Sequence, residues 1–167
     1  MVIVLGIDPG TASTGFGVVR QAGGRLAALD GGVIETRSDL RPERRLAAIH
    51  ARIGALLDEH RAQALAIEDL FFGQNVRTAF AVGQGRGVAL LAAGQRGVPC
   101  FSYTPQQIKG AVCGNGRAAK DQVGRMVAAV LALERPPRPD HAADALAVAV
   151  CHAQQAPMAA AVAKALA

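Results

Sequence analysis

The chain opens on an apolar run, Val2 to Ile7, that ends abruptly at Asp8-Pro9-Gly10. Such a short apolar run bounded by turn residues reads as a buried strand. Proline and glycine then force the chain to turn, so Asp8 falls at or near the strand's C-terminal end. A second strand is expected over Phe16–Arg20, followed by a hairpin turn at Gly23-Gly24. A third, Leu26–Thr36, returns to complete an antiparallel meander. From Arg41 to His60 the apolar period becomes helical, with Leu46, Ile49, Ile53, Leu56 and Leu57 on one face.

Ala64–Glu68 predicts a fourth strand, which like the first ends in an acid. Val76–Arg96 predicts a long helix whose many alanines and glycines allow close packing. A fifth strand is expected over Val98–Ser102, then helices over Pro105–Val112, Lys120–Leu133 and His141–Gln154. Nothing in the pattern repeats, and no linker is long enough to divide the chain. Residues 1–155 are therefore expected to form one domain, followed by an alanine-rich terminal helix or tail over 156–167.

About half of the residues are apolar, 51%, which is enough for a core and excludes a disordered chain. Eighteen Lys and Arg against thirteen Asp and Glu give a net charge of +5. A basic surface attracts polyanions through their phosphates, although charge alone also fits a merely basic exterior. Cys100, Cys113 and Cys151 are odd in number and fall in no zinc-like spacing, which points to a reducing compartment. The run VIVLGI is too short for a signal peptide. No unbroken stretch reaches the roughly 20 apolar residues that a bilayer-spanning helix needs. These features predict a cytoplasmic protein with no membrane partner.

Individually, the acidic residues have ordinary explanations. Asp8 fits a plain Asp-Pro-Gly turn, and Glu68 fits a solvent-facing strand end. Asp144, in the otherwise apolar HAADALAVAV, fits the first turns of a helix, where the dipole favours an acid. His141 lies one turn before Asp144, so the two side chains share a helix face. Together, however, three carboxylates on elements central to the fold make a different pattern. Clustered carboxylates raise one another's pKa unless a cation lies between them. Hard divalent ions prefer such oxygen ligands and retain water that can attack a phosphate. No serine or cysteine nucleophile with a partnered base competes for the role.

Several ordered segments, GIDPGTASTGFGVV, IEDLFFGQN, VGQGRGVALLAA, YTPQQIKGAVCGNGRAAKDQV and DHAADALAVAVCHA, resemble the RuvC family of Holliday-junction resolvases. The resemblance runs from about Val2 to Gln154. It implies an α/β, RNase H-like fold, a mixed five-stranded sheet flanked by helices. It also implies a metal-dependent endodeoxyribonuclease that resolves four-way junctions by paired symmetric nicks, through hydrolysis by metal-activated water. Asp8, Glu68 and Asp144 match acidic metal ligands of that family. The remaining ligand in many members is an Asp three residues before the last acid, where this chain has His141. Asp140 is adjacent but would point about 100° away on a helix, so it stands in reserve. The implied cofactor is Mg²⁺ or Mn²⁺, two per subunit with substrate bound. Imidazole favours the transition metal.

By the same resemblance Lys109 and Lys120 lie near the scissile phosphate, where a cation steadies developing charge. Phe71 matches a position that stacks on an opened base, whereas Phe72 stays open between stacking and core packing. Arg117 and Arg125 are candidate phosphate contacts or solvated surface charges. The implied partners are four-way junction DNA, a second copy of the chain, and the branch-migration proteins RuvA and RuvB. The expected dimer interface is the helix from about Val76 to Ala93. Two rival readings remain. IDPGTASTG also resembles the phosphate loop of actin-like and sugar-kinase ATPases, although 167 residues would supply one of their two lobes and neither a second phosphate loop nor an adenosine motif is found. A catalytically silent DNA-binding domain of the same fold is the other rival. The four filled ligand positions argue against it.

Overall fold

The structure is a computed structural model and describes residues 1–69 and 76–166. Five strands form one sheet: β1 (Val2–Asp8), β2 (Ser13–Ala22), β3 (Arg25–Glu35), β4 (Ala64–Glu68) and β5 (Cys100–Tyr103). The helices are α1 (Pro42–His60), α2 (Val76–Gly94), α3 (Pro105–Cys113), α4 (Lys120–Val130) and α5 (Asp140–Leu166). Across the sheet the order is β3-β2-β1-β4-β5. β1 pairs antiparallel with β2, and β2 with β3, whereas β1–β4 and β4–β5 are parallel. This is the mixed, helix-flanked α/β sheet that the sequence resemblance implied.

β1 is central, and side-chain alternation along it assigns each residue to a layer. Leu5 and Ile7 enter a core with Leu65, Ile67, Ile49, Ile53 and the α2 alanines 89, 92 and 93. Val4 points the other way, into a core with Ala66, Ile108, Val127 and the α5 residues Leu146–Val150. Asp8 and Glu68 have the parity of Val4 and Ala66, so both side chains belong to the face covered by α3, α4 and α5. α1 buries Ile49, Ile53, Leu56 and Leu57, as the helical period requires, with Pro42 at its start.

Glycine explains how close α5 comes to the sheet. Gly6 of β1 pairs with Gly17 of β2, which pairs with Gly31 of β3. A Cβ on Gly6 would lie 2.1 Å from the Ala145 carbonyl oxygen, and one on Gly17 would lie 2.7 Å from Leu146. A bare strip across three strands therefore seats the helix, a known use of glycine inside strands. Opposite Val18 and Val19 the register slips by one residue, leaving Leu29 of β3 unpaired. Several boundaries differ from expectation. β2 starts at Ser13, because its glycines pair with β1 and extend the ladder, and α5 runs on past Gln154 to Leu166. None of the described helices is long and apolar enough to cross a membrane.

Candidate active site

The β1–β4 register, Ile7 against Ile67, sets Asp8 and Glu68 side by side at the C-terminal ends of adjacent parallel strands. Neighbouring strands lie roughly 4.8 Å apart, so two carboxylates there interact strongly. Such strand ends are where open α/β sheets commonly place their ligands. α5 starts over this same edge. A Cβ on Gly15, which pairs with Asp8, would lie 2.0 Å from the His141 carbonyl oxygen. The missing side chain lets the first turn of α5 descend onto Asp8.

His141 Nδ1 consequently lies 2.7 Å from Asp8 Oδ2. Asp144, one turn on, faces the same way, and one ligand atom from each of Asp8, His141 and Asp144 falls within 4.8 Å of the others. Asp8 is mostly buried, with 17% of its side chain exposed, against 52% for His141. Burial raises the Asp8 carboxyl pKa, the His141 contact offsets this, and the nearby Asp144 raises it further. Glu68 is pushed up to about 7, first by burial and then by the negative charges of Asp8 and Asp144, with Lys109 and Lys120 opposing.

Glu68, Asp144, Lys109 and Lys120 line one cleft of about 170 Å³, over Ile108, Val123 and Val148. Lys109 is carried by α3, whose start is fixed by Pro105 and a reciprocal capping box between Thr104 and Gln107. Lys120 opens α4, its Nζ 3.2 Å from Asp144 and 3.5 Å from Asp140. Both acids raise the Lys120 pKa against the opposing effect of burial.

Asp140 pairs instead with Lys120 and, at 3.8 Å, Arg138, and is not in the group formed by Asp8, His141 and Asp144. Arg117 is exposed, and Arg125 is paired with Asp121 one helical turn earlier. Phe71 and Phe72 lie outside the described residues. The sequence reading gave no role to Gly6, Gly15, Gly17 or Arg86. Glycines inside or beside an apolar strand run were the available signal for the first three. Arg86 carried none, since its partners are a carbonyl and side chains remote in sequence.

The fit to a divalent cation follows from the charges. Burial, and then the charges of Asp8 and Asp144, raise the Glu68 carboxyl pKa more than Lys109 and Lys120 lower it, so a further cation would be favoured among these part-buried acids. Oxygen donors with one imidazole suit Mg²⁺ or a first-row transition metal. With phosphate-attracting lysines at its rim, the cleft suits hydrolysis of a phosphodiester.

Comparison with known proteins agrees. The family model for crossover junction endodeoxyribonuclease RuvC matches residues 4–152. A relative of that name from Moorella thermoacetica is 54% identical, with 93% of each chain covered. Another, from Pelotomaculum thermopropionicum, is 50% identical over 90% of this chain and 92% of its own. Among solved structures, T. thermophilus RuvC in complex with a Holliday junction substrate superposes with a TM-score of 0.91 at 41% identity, covering 95% of this chain and 97% of that one. The yeast mitochondrial Holliday junction resolvase Ydc2, at 15% identity and a TM-score of 0.66 over 94% of this chain and 82% of its own, shares the fold.

Proposed function

Because this chain belongs to the RuvC family of crossover junction endodeoxyribonucleases, we propose that it resolves four-way DNA junctions by paired symmetric nicks. The observation that carries the reading is the convergence of Asp8, His141 and Asp144 within 4.8 Å, with Glu68 close enough to feel the charges of Asp8 and Asp144 and sharing a cleft with Asp144, Lys109 and Lys120.

Asp8, Glu68, His141 and Asp144 would hold the divalent cations, Mg²⁺ or Mn²⁺, two per subunit with DNA bound. Such cations supply Lewis acidity and an activated water for in-line displacement at phosphorus. The rest belongs to the chain's own side chains. Asp8 is fixed from two sides, by its strand and by His141. Its burial keeps bulk water from screening the charges of the site. The ammonium groups of Lys109 and Lys120 attract the phosphate and stabilise the charge that develops on its oxygens. Arg117 and Arg125 would contact the backbone farther from the cut, and Phe71 would stack on a base opened at the junction.

The substrate's two-fold symmetry calls for a homodimer, one subunit for each nick. α2 suits that contact, because Val76, Phe80 and Leu91 expose apolar side chains on one helical face. RuvA and RuvB, as proteins that move the junction, are the proposed further partners, and the cytoplasm is the proposed compartment. The nuclease domain would end near residue 155.

Asp8→Asn tests the site. The amide keeps the shape and removes the charge, so a synthetic four-way junction should still be bound while cleavage is lost. Cleavage by the variant at the wild-type rate would rule the mechanism out.

A further inference from the structure

Arg86 of α2 is only 17% exposed and faces the end of β4. Its Nη1 donates to the Glu68 carbonyl oxygen at 2.8 Å, and its Nη2 to Ser102 Oγ of β5 at 2.5 Å. Asp69 Oδ1 lies 3.4 Å from the same Nη2. One guanidinium thus joins three points around the residue whose carboxylate enters the site.

On its β1 side, the sheet gives the backbone little support here. The β1–β4 ladder stops at the Ile7–Ile67 pair, and β1 leaves the sheet at the Asp8-Pro9 turn. On the other side, the Asp69 N–H still donates to the Tyr103 carbonyl of β5 at 2.8 Å. The peptide between Glu68 and Asp69 is therefore anchored at its N–H by β5 and at its C=O by Arg86. Fixing both ends of that peptide fixes the direction of the Cα–Cβ bond of Glu68, and with it the approach of the carboxylate to Asp8 and Asp144. Arginine suits this place, since its planar fork serves several acceptors at once while a lysine ammonium acts as a single point.

We propose that Arg86 is a positioning residue for Glu68, tying α2 to the end of β4 so that the Glu68 carboxylate is held in register with the other acids. The inference rests on the reading of Glu68 as part of the active site. Arg86 touches neither Asp8 nor Asp144. Its contribution belongs to the turnover step, because a small misplacement of a reacting group can lower a rate by about a hundredfold.

The test compares Arg86→Gln, Arg86→Lys and Glu68→Gln on a synthetic four-way junction, with cleavage rate at saturation and junction affinity in metal-free buffer as separate readouts. Arg86→Gln should cut about 30- to 100-fold more slowly while binding the junction as wild type does. Arg86→Lys should recover part of that loss, since one ammonium can still reach the Glu68 carbonyl. Wild-type cleavage rates in Arg86→Gln, with Glu68→Gln inactive, would overturn the role of Arg86 alone. Wild-type cleavage in Glu68→Gln would instead overturn the site reading on which it rests. Loss of junction affinity in step with cleavage in both Arg86 variants would assign Arg86 to the fold and also overturn the proposal.

Discussion

At the scale of single residues, His141 sets this site's chemistry apart from an all-carboxylate cluster. As a proposed ligand, its imidazole would add no negative charge and a softer donor than a carboxylate, so first-row transition metals would gain relative to Mg²⁺. Junction cleavage is expected to be at least as fast with Mn²⁺ as with Mg²⁺, and His141→Asp should move the preference toward Mg²⁺. Saturating-metal rates for both proteins measure this, and wild-type activity far higher in Mg²⁺ would defeat it. A second histidine has a structural role. His152 is 4% exposed, and its Nδ1 lies 2.6 Å from the Tyr103 hydroxyl, with the Phe101 ring centroid 4.3 Å from its own. Burial lowers its pKa. Its neutral form therefore supports folding fully above about pH 6.5, the ordinary histidine pKa. That support is lost as pH falls toward the lowered value, because the unfolded chain then binds the extra proton. His152→Gln should cost about 1–3 kcal/mol at pH 8 through the disturbed buried hydrogen bond. Denaturant titrations should show the gap to wild type shrinking at pH 5, and a gap independent of pH would count against this account.

The glycine strip decides, at the scale of elements, how far α5 descends. Gly15→Ala would drive a methyl group into the His141 carbonyl, lifting the turn that carries His141 and Asp144 away from Asp8. Overpacking of this kind costs about 1–3 kcal/mol, and the displacement should slow cleavage by about a hundredfold. Gly31→Ala is the control, since a Cβ there meets nothing nearer than the Leu146 side chain at 3.4 Å, an ordinary van der Waals contact. Equal rates for the two variants would mean that α5 does not need its seat. These elements also mark what the sequence disclosed. Strand and helix order could be read directly, because apolar period and turn residues are local signals. The acids at the ends of β1 and β4 were visible as positions, yet their adjacency depends on a parallel register that no local pattern encodes. The His141–Asp8 contact depends on glycines 15 and 17 being read as a seat and not as breaks, which is why β2 was expected to start at Phe16. Arg86 was illegible for the same reason, since its meaning lies wholly in partners 16 to 18 residues away.

The whole molecule has to match a substrate with two-fold symmetry, and α2 connects that requirement to the site. One side of the helix packs its alanines beneath the sheet and holds Glu68 through Arg86. Another side leaves Val76, Phe80 and Leu91 exposed by 80%, 69% and 55%. Spacings of four and eleven residues put these three on one face, a stripe suited to meeting its own copy across a two-fold axis. An apolar stripe of this kind is expected to tolerate a buried carboxylate poorly. Phe80→Asp should therefore sediment as a monomer while each chain keeps its folded site, because Phe80 is exposed and supports no core. On a plasmid bearing an extruded cruciform, a dimer cuts two strands within one encounter and yields linear DNA. A monomer cuts one strand, after which the cruciform relaxes and the second cut is lost. The variant should therefore convert the plasmid to nicked circles. Linear product from a Phe80→Asp protein that still sediments as a dimer would remove α2 from the interface. Linear product from a true monomer would separate the paired nicks from dimerisation altogether.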